Sequence, residues 1–99
     1  MKVRPSRTAA GELVDILSYL SYVAAENENA ADRVAMAVER TLDWIGRWPR
    51  VSPVAHGRDI RSKLVVGFGL RVFYVIGTDA VLVRNIRSTR WLRPWEPAL

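Results

Sequence analysis

The second half of this sequence is rich in groups that hold phosphate. Residues 50–99 carry Arg50, Arg58, Arg61, Lys63, Arg71, Arg84, Arg87, Arg90 and Arg93 against only Asp59, Asp79 and Glu96, a net charge of +6. All but one of these cations are arginine, whose planar guanidinium makes bidentate contacts with phosphate or carboxylate. Residues 1–49 sum to −1, so the overall +5 is unevenly spread. Such asymmetry points to a polyanionic or acidic partner. Trp91 and Trp95 are interleaved with Arg90 and Arg93 in a tail that also holds Pro94 and Pro97. Aromatic residues in that setting stack on bases or fill a partner's pocket. They equally suit a tail that folds back over the sheet edge or the helices.

Proton-transfer and metal chemistry have few candidates. There is no cysteine and one histidine, His56. No metal site and no cofactor is therefore expected. His56 falls in a loop, where a solvated imidazole is the simpler reading. The tail after Ile86, RSTRWLRPWEPAL, contains no Tyr, His or Lys, and Lys63 is the one lysine of the second half. A guanidinium stays protonated near neutrality, so the arginines suit a clamp better than a proton shuttle. Tyr74 sits within an apolar run and reads as structural, with a hydroxyl that needs a partner if buried. Gly67 and Gly69 are too few for a phosphate loop and better explain a bend or bulge.

The elements that position these groups are legible from periodicity. Met1 to Arg4 is a short strand stopped by Pro5. Ser6 or Thr8 caps a helix over about residues 8–25. Its Leu13, Ile16, Leu17, Leu20 and Ala24 share an arc of about 100°, while Glu12, Asp15, Ser18 and Tyr22 point elsewhere. Glu26 to Asn29 is a polar break, and Asn29 is placed to cap a second helix that Pro49 ends. Val34, Val38, Thr41, Ile45 and Trp48 form its apolar stripe. On that spacing Trp48 is a core residue and Trp44 flanks the stripe. Residues 49–60 read as a loop. Leu64–Val66, Leu70–Ile76 and Ala80–Ile86 then read as strands, the last two joined by the turn Gly77-Thr78-Asp79.

The order β-α-α-β-β-β implies an α+β fold, with a helical hairpin packed on one face of a small antiparallel sheet. Ninety-nine residues make one small domain. With no third layer the other sheet face stays open. Arg71 and Arg84 lie on the long strands, Arg61 and Lys63 at the start of the strand before them, and Arg87, Arg90 and Arg93 after the last. Together they suggest a docking surface for phosphates. No apolar run approaches the ~20 residues of a membrane span. The N-terminus lacks the apolar core of a signal peptide, so a cytoplasmic address is expected.

Several stretches, in order, resemble the ParE/RelE toxin superfamily. Ala9-x-x-x-Leu13-x-x-Ile16-x-x-Tyr19 resembles its first-helix signature. Ala30-Ala31-Asp32-Arg33 and Trp48-Pro49 resemble its second helix and helix stop. Gly67 to Tyr74 (GFGLRVFY) is similar to its central strand, and Ile86 to Trp91 (IRSTRW) to the end of its last strand. The resemblance spans nearly the whole chain, as one toxin domain over 1–99 with an Arg/Trp-rich tail at 86–99. It implies a type II toxin restrained by a small antitoxin, in a toxin–antitoxin hetero-oligomer. RelE-like members cleave messenger RNA in the ribosomal A site. ParE-like members trap DNA gyrase and have no accepted catalytic residues. Arg87 stands where family members often have His, which favours ParE-like action over RelE-like. On the nuclease alternative the site residues would be Lys63, Arg71, Arg84, Arg87 and Arg90. A target, gyrase or the ribosome with its mRNA, would meet Arg61, Lys63, Arg71, Arg84, Arg87, Arg90, Trp91, Arg93 and Trp95. The antitoxin would meet Leu20, Tyr22, Val23, Trp44 and Trp48. A third alternative is a non-toxic binding module of the same fold.

Overall fold

The computed structural model describes residues 1–23, 29–55 and 59–88, and the side chains of all of these except 20–23 and 55. Strand β1 (Lys2–Pro5) leads into helix α1 (Arg7–Val23). Helix α2 (Ala30–Arg47) follows, then β2 (Val54–Ala55), β3 (Ile60–Val65), β4 (Leu70–Ile76) and β5 (Ala80–Ser88). One five-stranded sheet results, ordered β1-β5-β4-β3-β2. Its pairings are antiparallel except β1 with β5, which is parallel. The sheet is therefore mixed rather than wholly antiparallel. The helical hairpin between β1 and the rest is a connection long enough to return the chain parallel to its start. Two residues of the expected 49–60 loop, Val54 and Ala55, add β2 to the edge of β3.

Ser6 starts α1 by satisfying three groups. Its Oγ accepts from the Ala9 N–H at 3.0 Å, the geometry of a helix N-cap. The same hydroxyl donates to the Arg84 carbonyl at 3.0 Å. Its N–H donates to the Val83 carbonyl at 2.8 Å, carrying the β1 ladder one residue past Pro5. Asn29 occupies the N-cap position of α2 without a side-chain hydrogen bond.

The core lies between the helices and one sheet face. Val34, Ala37, Val38 and Ile45 of α2 and Ala9 of α1 pack on Val65, Leu70, Val72, Tyr74, Val81, Val83 and Ile86. Leu13, Ile16 and Leu17 are partly buried against the same cluster. Thr41 is buried on the α2 stripe and donates to the Ala37 carbonyl at 2.8 Å. Trp48 leaves the stripe. It is the C-cap, at φ −131° and ψ 55°, so its side chain no longer follows the helical direction and is 57% exposed. The expectation of a core Trp48 is thereby corrected. Tyr74 is fully buried and donates to the Pro49 carbonyl at 2.8 Å, which anchors the chain after α2 to the sheet. Gly67 and Gly69, at φ 92° and 63°, form the turn between β3 and β4, where a side chain would be strained.

Replacing Ser6 with alanine removes the cap and the link to β5 together. We expect a loss of about 1–2 kcal/mol in urea unfolding. A loss indistinguishable from zero would show that Ser6 does not hold α1 to the sheet.

Candidate functional site

The register of the strands decides which charged residues share a face. Opposite residues on adjacent strands lie on the same side of a sheet. Val72, Tyr74, Val81 and Val83 face the helices, so their neighbours along each strand face away. On that open side lie Lys2 and Arg4 of β1, which pair with Ala80 and Leu82. Leu82 and the exposed Arg84 follow on β5, then Arg71, Phe73 and Val75 on β4, and Ser62 and Leu64 on β3. None of the five strands contains an aspartate or glutamate. The open face is thus an apolar centre flanked by cations: Leu82 and Leu64 are exposed and Phe73 and Val75 half-buried. Arg71 Nη1 donates to Ser62 Oγ at 3.0 Å, which holds its guanidinium along that face.

Arg61 and Lys63 are elsewhere. They pair with Tyr74 and Val72 and so lie on the helix side. Lys63 Nζ sits 4.2 Å from the centre of the Trp44 ring, a cation–π contact between β3 and α2. Arg61 Nη1 donates to the Ser52 carbonyl at 2.6 Å and the Arg50 carbonyl at 3.3 Å, which ties the loop after α2 to β3. The set expected from sequence therefore splits: Arg71 and Arg84 share the open face, whereas Arg61 and Lys63 do not. Alternation alone could not set the parity of β3, because IRSKLVV carries its charges on alternate residues and continues into an unbroken apolar run.

Arg87 has a third setting. It stands directly opposite Arg71, a like-charge pair that is unfavourable without a counter-charge. Glu12 of α1 supplies that charge, with Oε2 3.3 Å from Arg87 Nε. Glu12 Oε1 accepts from the Ile86 N–H at 3.2 Å and from Asn85 Nδ2 at 3.0 Å. A register shift opposite Phe73 and Tyr74 leaves Arg84 as the extra residue on β5. Past the bulge Asn85 shares the side of Phe73 and Ile86 faces the helices opposite Val72, and both are buried. Glu12 was expected to point away from the core stripe. Instead it reaches β5, where β1 has already ended opposite Val83. No periodicity marks it, since its partners lie more than seventy residues along the chain.

Trp44 and Trp48, expected at an antitoxin surface, lie one turn apart at the end of α2. Trp44 is half-buried under Lys63 and Trp48 is exposed. Leu20, Tyr22 and Val23 close α1, with side chains outside the described set. Arg90, Trp91, Arg93, Trp95 and His56 also lie outside the described residues. Among the described residues no three His, Cys, Asp or Glu gather as metal ligands, and no helix is long and apolar enough to cross a membrane.

No protein-family model matches the sequence, and none of the curated proteins compared with it is similar in sequence. Among solved structures, the fold is similar to a chain described as the chromosomal ParDE TA system from P. aeruginosa. The TM-score is 0.73 at 11% identity, over 89% of this chain and 95% of that one. At that identity the likeness is one of fold, and at that level it agrees with the ParE/RelE resemblance of the sequence.

Glu12→Ala would remove the carboxylate that accepts from the Asn85 amide and the Ile86 N–H and that lies beside the Arg87 guanidinium. We expect a loss of about 2–3 kcal/mol in urea unfolding, and a smaller one for Glu12→Gln, which keeps one acceptor. A loss below about 0.5 kcal/mol for the alanine variant would place Glu12 among ordinary surface residues.

Proposed function

We propose that this chain is the toxin of a type II toxin–antitoxin system. In this reading it arrests growth by binding and poisoning DNA gyrase, and a cognate antitoxin neutralises it. The observation that carries the reading is the sheet face turned away from the helices, whose strands contain no aspartate or glutamate, on a fold similar to that of the ParDE chain. One sheet side is covered by the helical hairpin and the other presents Lys2, Arg4, Arg71 and Arg84 around an apolar centre. Such a surface suits an acidic protein partner or a phosphate backbone.

Gyrase is favoured over ribosome-bound RNA on chemical grounds. Cleavage of RNA by its 2′-hydroxyl needs a group to take a proton and another to give one. Among the described residues, the open face beside Arg71 has no imidazole or phenol. Its one ammonium, Lys2, is two strands away, and Lys63 is on the other side of the sheet. Tyr74 donates inward to Pro49. What remains near Arg71 is a set of guanidiniums, which bind anions and do not shuttle protons. The antitoxin is expected to bring acidic residues to the basic face and apolar anchors to the helical hairpin, with Trp44 and Trp48 among the contacts.

Pulse-labelling tests the target. The protein is induced alone in bacterial cells, and labelled thymidine and methionine are followed in the first minutes. DNA synthesis should stop before protein synthesis. If translation stops first, with new transcript ends, the chain is a ribosome-dependent mRNA interferase and the gyrase reading fails. If neither changes in cells shown to contain folded protein, the toxin reading itself fails.

A further inference from the structure

Arg71 and Arg87 are partners across β4 and β5, on the side of the sheet turned away from the helices. Directly opposite residues have Cβ atoms roughly 5 Å apart, yet the two guanidiniums are drawn in opposite directions. Arg71 Nη1 donates toward β3, to Ser62 Oγ at 3.0 Å. Arg87 Nε turns to the outer edge of β5, where Glu12 Oε2 lies at 3.3 Å. Between the two is the position from which one anion would meet both arginines.

The acid that answers Arg87 is not part of the sheet. No strand carries an aspartate or glutamate, and Glu12 reaches in from α1, beyond the stretch of β5 that β1 covers. The Arg87 and Glu12 side chains are 13% and 20% exposed, so their attraction is screened less than that of a surface ion pair. Glu12 Oε1 is fixed separately by the Ile86 N–H and by Asn85 Nδ2. With three donors on it, the carboxylate resists displacement by a ligand.

Such an arrangement discriminates between anions. A carboxylate has two oxygens, and a single guanidinium fork satisfies both side by side. The oxygens of a backbone phosphate point in more than one direction, so two guanidiniums grip it better than one. Because Arg87 already holds Glu12, Arg71 is left to receive one carboxylate. A phosphate set between the arginines would meet the charge of Glu12 instead.

We propose that Glu12 is the specificity-determining residue of this face. Its carboxylate occupies Arg87, leaves Arg71 to bind the carboxylates of an acidic protein surface, and turns away the phosphates of nucleic acid. The inference rests on the reading of this face as the surface that meets the target, and it names the residue that selects protein over nucleic acid. It predicts tighter phosphate binding when the charge of Glu12 is removed, which a purely structural residue would not give.

The test compares Glu12→Gln with the unaltered chain, each purified as the full chain and shown to be folded by thermal unfolding. Glutamine keeps an acceptor for Asn85 and Ile86 but carries no charge. The probes are an oligoglutamate peptide and an oligothymidylate of equal charge, followed by fluorescence anisotropy. The unaltered chain should prefer the peptide. Glu12→Gln should bind the oligothymidylate about tenfold more tightly. Its log K should also fall more steeply with log salt, by about 0.7, the value of one further phosphate contact. Arg71→Ala added to Glu12→Gln should abolish the gain. Asp15→Asn removes an exposed charge from the same helix and should not produce it. A folded Glu12→Gln that binds the oligothymidylate no more tightly would overturn the proposal, as would an equal gain from Asp15→Asn or a gain that survives Arg71→Ala. Preference of the unaltered chain for the oligothymidylate would overturn it too, and that comparison needs no variant. Peptide binding untouched by Arg71→Ala alone would sink the reading of the face together with the proposal. Arg71-dependent peptide binding without the Glu12→Gln gain would sink the proposal alone.

Discussion

A single carboxylate settles how the two layers of this protein meet. Strand β5 is nine residues long, but β1 covers only its first four. Past Val83 its edge would be left with an unpaired N–H, a buried asparagine and an arginine facing another arginine. Glu12 accepts from all three. Ser6, one and a half turns earlier, ties the start of the same helix to the Val83 and Arg84 carbonyls. Between them the two side chains replace the missing stretch of edge strand with the flank of α1. The helices are thereby held to one side of the sheet, and neither helix covers the other side.

That one-sidedness explains the separation of charges. The guanidiniums of Arg61 and Arg87 are engaged within the fold, the first with backbone carbonyls and the second with Glu12. Lys63 rests on Trp44. Arg71, Arg84, Lys2 and Arg4 remain on a face whose strands carry no acid. Charge that forms one basic cluster along the sequence thus divides into a structural share and a share on the sheet face turned away from the helices.

Much of this architecture is visible in residue order. The stripe of α2 locates the core, Pro49 and Asn29 bound the helix, and the β-branched runs place β4 and β5. The need of Tyr74 for a hydroxyl partner is also readable, and Pro49 meets it. The rest depends on relations that spacing does not encode. The parity of β3 is hidden by an apolar run that continues through Val66. The bulge at Arg84 is set by pairing with a different strand. Trp48 keeps the helical spacing but not the helical backbone, so its side chain turns out to solvent. Four residues of β1 are too few to signal a parallel partner, so nothing in the residue order marks Lys2 and Arg4 as part of the same face as Leu82. Glu12 belongs to the polar side of its helix by periodicity, and only the fold reveals that this side meets β5.

The central claim is that the open sheet face is the working surface. The most direct test is growth arrest on induction, comparing two folded charge-reversal variants. Arg71→Glu with Arg84→Glu reverses the open face, and Arg33→Glu with Arg40→Glu reverses exposed positions on α2. With thermal unfolding showing both to be folded, the first should lose growth arrest and the second should keep it. Arrest retained by the open-face variant, or lost only by the helix variant, would contradict the account and move the working surface to the helical side.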